Sequence, residues 1–417
     1  MCKIILVHGK YFNSWEALGL GYIGSYVKSK ISNVSIKFYQ GNFDSVTDIL
    51  GSCVDADFLF FSATSPSFNY CLELAQKAKK TNSKLRTVFG GYHVSALGQE
   101  CLVDGIDQIV VGEGEEAVVD IINGNTDTTV YGRQMLFEEL FWPDRDLIKN
   151  ERNIQVSFQD TGKRITSFQS HRACPFRCKY CADGHMKVLC KNAKPIFRAR
   201  PIKDLLTEIN SVTHKYSLDV FKFCDATWNI SKEYVKDFCR AKMQYGPSIP
   251  FFPNIHANMV DDEMFALLKK ANCYEIGLGI ESGSPKILRE IGKGTTIESI
   301  RNACDLAKKN EIKVRGYFIL GMPNENEEDL VLTEKFAEEL EIEEYGFTIL
   351  CPYPGTTMYE DNKSEFKDTD WSNTDEYIND FWYTKYLSNK QLREWQSKLV
   401  NKFKNKITWH NKIIEDK

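Results

Sequence analysis

Short apolar runs of strand length alternate with amphipathic runs of helix length along most of this chain, and that rhythm confines it to one fold class. In residues 1 to about 125, KIILVHG, VSIKFYQG, DFLFFSATS, LRTVFGGYH and IDQIVVGEGE read as strands. LGLGYIGSYVKSKI, NYCLELAQKAKKT and EEAVVDIING lie among them with helical spacing. A strand that is apolar throughout must be covered on both faces, so a parallel sheet between two helical layers is expected. The rhythm lapses over residues 126 to 165, where FEELFWPDRDLIKN has no long period. It resumes at ITSFQS and runs on to YGFTILCPYPGT, which is long enough for a closed or nearly closed barrel. The expected α/β architecture is a doubly wound, Rossmann-like domain over 1–128, a linker over 129–165, a partial (β/α) barrel over 166–365 and a helical C-terminal extension over 366–417.

Composition narrows the function. A chain of 417 residues is too long for one ordinary domain. Its net charge of −4 forces no broad basic surface, so nucleic acid is not an expected partner. No apolar run approaches the roughly 18 residues of a membrane span. MCKIILVHGK reads as a strand, without the long apolar region and cleavage site of a signal peptide. A cytoplasmic location is expected. The 13 cysteines are odd in number and scattered, which suits a reducing compartment with free thiols and a metal or cluster site. Cys53, Cys71, Cys239 and Cys304 lie in apolar surroundings and read as small core residues.

The cysteines of HRACPFRCKYC, residues 171–181, are different. Cys174, Cys178 and Cys181 are spaced C-x3-C-x2-C in a loop that also holds Pro175, Arg177 and Lys179. A structural zinc site needs four ligands, with Cys190, His171 or His185 available as the fourth. That reading lacks a second paired knuckle. The alternative is a 4Fe–4S cluster. Three thiolates would leave one iron open, and an open metal position is where chemistry takes place.

With Tyr180 just before the last cysteine, at the end of a first barrel strand, this loop resembles the radical SAM superfamily. The resemblance implies a cluster whose open iron is chelated by the amino and carboxylate groups of S-adenosylmethionine, and a 5′-deoxyadenosyl radical that abstracts hydrogen from a substrate. It extends to FKFCDATWNIS, where Asp225 ends a strand and Ala226 replaces a frequent second acid. It also covers NCYEIGLGIESGSPKILREIGKGTT, where Gly277 and Gly279 allow close backbone approach and Glu281 and Ser282 fall near the ribose and methionine parts of the cosubstrate. Helix capping by Ser282 or Ser284 is the plainer reading there. In KVRGYFILGMPNEN, Arg315 faces either the cosubstrate carboxylate or an internal Asp or Glu. In CPYPGTTMYE, Cys351 sits at the barrel mouth as a structural residue or a hydrogen-atom donor.

The segments FSATSPSFN, FGGYHVSALGQE and IVVGEGEEAV resemble, in order and spacing, the cobalamin-binding domains that precede many radical SAM barrels. Ser62 and Thr64, Gly90 and Gly91, and Gly112 with Glu113 all fall at strand carboxyl ends, the expected ligand edge. A D-x-H-x-x-G lower-face loop is absent, so no histidine ligand to cobalt is expected; His93 matches a family position without a coordinating role. Together the two resemblances imply an enzyme with a 4Fe–4S cluster, S-adenosylmethionine and cobalamin that methylates a non-nucleophilic carbon or phosphorus centre. A non-methylating epimerase, cyclase or ring-rearranging enzyme is the first alternative, and a sensor without turnover the second. The implied partners are a small-molecule or peptide substrate and an electron donor such as flavodoxin or ferredoxin. The aromatic residues Trp371, Trp382, Tyr383 and Tyr386 either cover the cavity or pack on the barrel.

Overall fold

A computed structural model of the chain describes residues 1–183, 197–366, 369–375, 377 and 379–408. They form two compact units. The first comprises Met1–Lys163, Ala182–Ala199 and Tyr353–Ser372. Its six strands are β1 (Cys2–His8), β2 (Val34–Gln40), β3 (Phe58–Ser62), β4 (Arg86–Gly90), β5 (Gln108–Val111) and β6 (Thr129–Tyr131). They pair in parallel in the order β2-β1-β3-β4-β5-β6. Ile4, Leu6, Phe60, Val88 and Val110 fill one face with α1 (Leu18–Lys30) and α4 (Gly114–Ile122). Ile5, Val7, Leu59, Phe61 and Phe89 fill the other with Cys53 and Cys71 of α2 (Val46–Cys53) and α3 (Phe68–Thr81). Successive side chains serve opposite cores, which is why these strands are apolar without alternation.

The stretch without rhythm, as far as Lys163, also belongs to this unit. It contributes β6 and a helix, Glu151–Thr161, that ends where Gly162 turns left-handed at φ +71°. That helix buries only Asn153 and Ile154, too little to mark a period. Polar contacts hold it instead: Arg152 Nη1 pairs with Asp44 at 2.8 Å and Asn153 Nδ2 donates to Ser14 O at 2.8 Å.

The second unit comprises Arg164–Cys181, Arg200–Pro352 and Asn373–Lys417. Strands Ile165–Phe168, Val220–Phe223 and Phe251–Phe252 form one parallel sheet. Asn254–Ile255, Glu275–Glu281, Lys313–Leu320 and Glu344–Ile349 form another, and a parallel bridge from Phe251 to Cys273 joins the two. Spatial order follows chain order, with helices between the strands, as in an open (β/α) barrel. Phe168, Phe221, Phe223, Trp228, Phe238 and Phe251 make an aromatic core beneath the cysteine loop's strand.

The C-terminal helix Asn389–Lys402 packs on the last strand, where Gln396 Nε2 donates to Phe347 O at 3.0 Å. Trp382 Nε1 donates to Gly321 O at 2.6 Å, so this tryptophan is a packing residue. Trp371 joins a ring cluster with Tyr353, Tyr359 and Phe366 in the first unit, and Tyr383 and Tyr386 are exposed. Among the described residues no helix is long and apolar enough to cross a membrane.

Candidate functional site

The cysteine loop leaves strand Ile165–Phe168 and is gripped at once by Asp225, two residues beyond the neighbouring strand. The Asp225 carboxylate accepts the Ser170 amide at 3.0 Å, the Ser170 hydroxyl at 2.9 Å and the His171 amide at 2.6 Å. Burial pushes its carboxyl up to about 7 against these hydrogen bonds. A side chain that resemblance places among the cofactor contacts is thus committed to positioning the loop. Ala173 then turns left-handed at φ +63°. Cys174 and Cys178 are buried and Cys181 is half-buried, and none is in a disulfide. Cys174 Sγ lies 3.8 Å from Thr227 Oγ1, and Cys181 N donates to Cys178 O at 3.1 Å. The loop docks on the far side through Lys179 N to Ile291 O at 2.9 Å and through Phe176, which stacks on His256 at 4.1 Å. Cys190 and His185, the alternative zinc ligands, lie outside the described residues.

Glu281 ends its strand in a left-handed conformation, φ +66°, at a register shift against the next strand. A non-glycine residue held that way is strained, and such strain collects at functional sites. Its buried carboxylate accepts the Tyr180 hydroxyl at 2.9 Å and the Lys293 ammonium at 2.5 Å. Burial and the facing Glu281 charge push the Tyr180 phenol well above its usual range. Gly279 makes room for this group: a Cβ there would come within 2.3 Å of both Glu281 Oε1 and Lys293 Nζ. At Gly277 a Cβ would meet Asn254 Oδ1 at 2.1 Å, so that glycine admits a neighbouring side chain.

The other residues singled out in the barrel have internal partners. Ser282 Oγ meets Thr333 Oγ1 at 3.1 Å and accepts the Ser284 amide at 3.1 Å; Ser284 is the cap of helix Pro285–Glu290. Arg315 pairs with Glu275 at 2.9 Å and Glu344 at 2.7 Å. It is the third residue of its strand, and both partners are the first of theirs, so Arg315 stands at the end of the sheet opposite Glu281. The internal-carboxylate alternative holds, and Arg315 is removed from the cofactor contacts. Cys351 is buried two residues beyond the last strand, at the carboxyl edge.

In the first unit the singled-out residues gather at the carboxyl edge of the parallel sheet. Ser62 ends β3 and Gly90 ends β4, directly opposite each other. Gly91 has φ +101°, and a Cβ on it would strike Ala63 O at 2.5 Å. At Gly90 a Cβ would meet nothing nearer than Val110, at 3.7 Å, so the backbone requires glycine at 91 and not at 90. Thr64 turns the chain, its amide donating to Ser67 Oγ at 2.9 Å. His93 is buried, 2.9 Å from Ser65 Oγ and tilted against the Phe68 ring, and burial lowers its imidazole to about 4. Gly112 N donates to Ser95 Oγ at 3.1 Å, and Gly112 has φ +92°. Glu113 accepts the Met135 amide at 2.9 Å and forms an ion pair with Arg198, so it too is internally committed.

Comparison with known proteins fits this geometry. The B12 binding domain family matches residues 4–122, and the Radical SAM superfamily matches residues 168–337. The chain belongs to the radical SAM superfamily, in the group that carries a B12-binding domain. An uncharacterized methyltransferase of Pyrococcus horikoshii is 28% identical over 371 residues, 82% of this chain and 77% of that one. The anaerobic magnesium-protoporphyrin IX monomethyl ester cyclase of Rubrivivax gelatinosus is 22% identical over 86% of this chain and 70% of that one. Among solved structures, the radical S-adenosylmethionine methyltransferase TsrM of Kitasatospora setae, with cobalamin and a 4Fe–4S cluster bound, superposes with a TM-score of 0.73. The match is 15% identical, covers 98% of this chain and 93% of that one, and shows a shared fold.

The cofactors of a B12-binding radical SAM enzyme are a 4Fe–4S cluster, S-adenosylmethionine and cobalamin, and the residues present fit them. Three cysteines outside any disulfide share one anchored loop. Among the described residues no three His, Cys, Asp or Glu side chains gather as the ligands of a single ion would; a cluster instead offers each thiolate its own iron. The carboxylate of Glu281 suits the ammonium of an amino acid. At the carboxyl ends of β1 and β2, His8 Nδ1, Asn13 Oδ1 and Gln40 Oε1 are buried without a hydrogen-bond partner among the described residues. Such groups favour a ligand rich in amides, as cobalamin is.

Lys293, His256, Thr227 and Ser170 are the site residues that pattern reading passed over. Only Lys293 had a visible signal, the flanking glycines of Gly292-Lys293-Gly294.

Proposed function

We propose that this B12-binding radical SAM enzyme transfers a methyl group to a non-nucleophilic carbon or phosphorus centre of a small-molecule or peptide substrate. The observation that carries the reading is the presence, in one chain, of a three-thiol loop at a barrel's carboxyl edge and a B12-type sheet edge with buried, unpartnered polar atoms. When bound, the cluster with S-adenosylmethionine supplies one-electron chemistry and cobalamin carries the methyl group.

The chain's own residues bind and orient. Cys174, Cys178 and Cys181 would hold three irons and leave the fourth to the cosubstrate. Asp225 and Ser170 set the loop's entry, and Thr227 stands beside Cys174. Glu281 would take the ammonium of the cosubstrate's amino acid end, with Tyr180 orienting its carboxylate. In the first unit Gly91 brings the ends of β3 and β4 together, where a flat ring can lie against backbone. The reductant in this reading is a flavodoxin- or ferredoxin-type protein.

The test is anaerobic reconstitution with iron and cobalamin, metal analysis, and incubation of candidate substrates with S-adenosylmethionine bearing a deuterated methyl group. Iron and cobalt in the protein and label in a product support the proposal. Zinc in place of iron would end it. The similarity to the Rubrivivax gelatinosus cyclase favours ring formation as the second reading. In that case 5′-deoxyadenosine forms without label transfer, and Cys351→Ala abolishes product if Cys351 returns a hydrogen atom to the substrate radical.

A further inference from the structure

Lys293 is a half-buried cation at the site to which the reaction above gives no task. Its backbone is fixed by the left-handed glycines on either side, φ +69° and +80°. His256 Nε2 lies 3.3 Å from Lys293 O, and Asn258 Nδ2 donates to Gly294 O at 2.7 Å. The ammonium is held as firmly, donating to Gly279 O at 2.7 Å and Glu281 Oε1 at 2.5 Å. Glu281 in turn accepts the hydroxyl of Tyr180, the neighbour of Cys181. The segment that carries Lys293 also touches the cysteine loop on either side of Cys178: Lys179 N donates to Ile291 O at 2.9 Å, and a Cβ on Gly292 would lie 3.6 Å from Arg177 O.

The arrangement places an ion pair within electrostatic reach of a cluster ligand. Three thiolates make the cluster anionic, and reduction adds one electron without forming or breaking a bond. In a water-poor site that extra charge is costly unless a fixed cation offsets it, and cluster potentials follow net charge and local hydrogen bonding. Without Lys293, the Glu281 carboxylate would stand uncompensated and oppose the incoming electron.

We propose that Lys293 is a positioning residue for the reductive step: its ammonium holds Glu281 against Tyr180 and offsets the charge that the cluster gains from an external one-electron donor. This rests on the reading that the three cysteines hold a 4Fe–4S cluster.

The experiment compares full-length wild type, K293M and K293R after anaerobic reconstitution, first by iron content and then by dye-mediated redox titration of the reduced cluster's electron paramagnetic resonance signal. The expected result is full iron in all three, a more negative midpoint potential in K293M, and a value near wild type in K293R. An unmoved potential in K293M, or K293R shifted as far as K293M, overturns the proposal. If K293M holds no iron, the double variant E281Q/K293M removes both charges together. Recovery of iron and of a near-wild-type potential there supports charge compensation, and no recovery assigns Lys293 to folding and overturns it. Wild-type protein that takes up no iron brings down the cluster reading and this proposal with it, a result distinct from a full cluster with an unmoved potential.

Discussion

The His171 amide donates to the Asp225 carboxylate at 2.6 Å, three residues ahead of the first cysteine of the loop. The same buried carboxylate takes the amide and hydroxyl of Ser170, so one side chain fixes the direction in which the chain enters its cysteines. Asp225→Ala would leave two buried amides without their acceptor, at a cost of about 2–4 kcal/mol. The expected outcome is a lower melting temperature and less iron per chain after reconstitution. Asp225→Asn keeps one acceptor oxygen and falls between. Full iron and an unchanged melt in Asp225→Ala would show that the loop finds its path without this grip.

Gly91 and Gly90 are adjacent in sequence and opposite in tolerance. Gly91→Ala adds a methyl that meets Ala63 O at 2.5 Å on a backbone with φ +101°, whereas Gly90→Ala meets Val110 at an ordinary 3.7 Å. The expected loss is about 1–3 kcal/mol or more for Gly91→Ala and under about 1 kcal/mol for Gly90→Ala. Cobalamin uptake should fall for Gly91→Ala alone. Chemical denaturation and cobalt analysis of the pair check both statements, and equal behaviour would mean that this edge rearranges freely.

What the sequence revealed and what it hid follow from how far apart the interacting residues lie. The strands were legible because Ile4 and Ile5, or Phe60 and Phe61, serve opposite cores and leave unbroken apolar runs. The three cysteines and Glu281 were legible because their motifs are local. Helix Glu151–Thr161 was not, because hydrogen bonds to Asp44 and Ser14 hold it in place of an apolar stripe. Partner choice was hidden as well. Arg315 sits opposite Gly277 on one side and Glu344 on the other, a register set only when three parallel strands align. Gly279 likewise looked like a ligand approach until Lys293, fourteen residues on, filled the space beside it.

Arg315 supplies a test of that correction. Arg315→Met leaves Glu275 buried and without its cation, while Glu344 is 35% exposed and partly solvated. The expected destabilisation is about 2 kcal/mol, below that of a fully buried pair. S-adenosylmethionine binding by the folded, reconstituted variant should equal that of wild type, because the guanidinium is at the opposite end of the sheet from Glu281. Equilibrium binding alongside thermal melting separates the two effects. A large loss of affinity with an unchanged melt would return Arg315 to the cosubstrate.

Glu325 gives the protein a pH dependence of defined sign. It is fully buried in the turn after strand Lys313–Leu320, where its carboxyl accepts the amides of Gly321 and of Met322, the latter at 3.2 Å. Burial pushes that carboxyl up to about 8 despite the two amides. The unfolded value is near 4.3, so between the two the folded chain retains a proton that the unfolded chain has released. The contribution of this group is whole below about pH 4 and is lost as pH rises toward 8, by at most about 1.4 kcal/mol per unit. Above that range the loss is complete and the dependence flattens. Glu325→Gln is neutral at every pH and can still accept the amides, so it lacks the slope. Urea unfolding at pH 5, 7 and 9 should show the stability difference moving steadily in favour of Glu325→Gln across the series. A difference that does not change with pH would mean that the carboxyl is ionised in the folded protein throughout, with the Gly321 and Met322 amides outweighing burial.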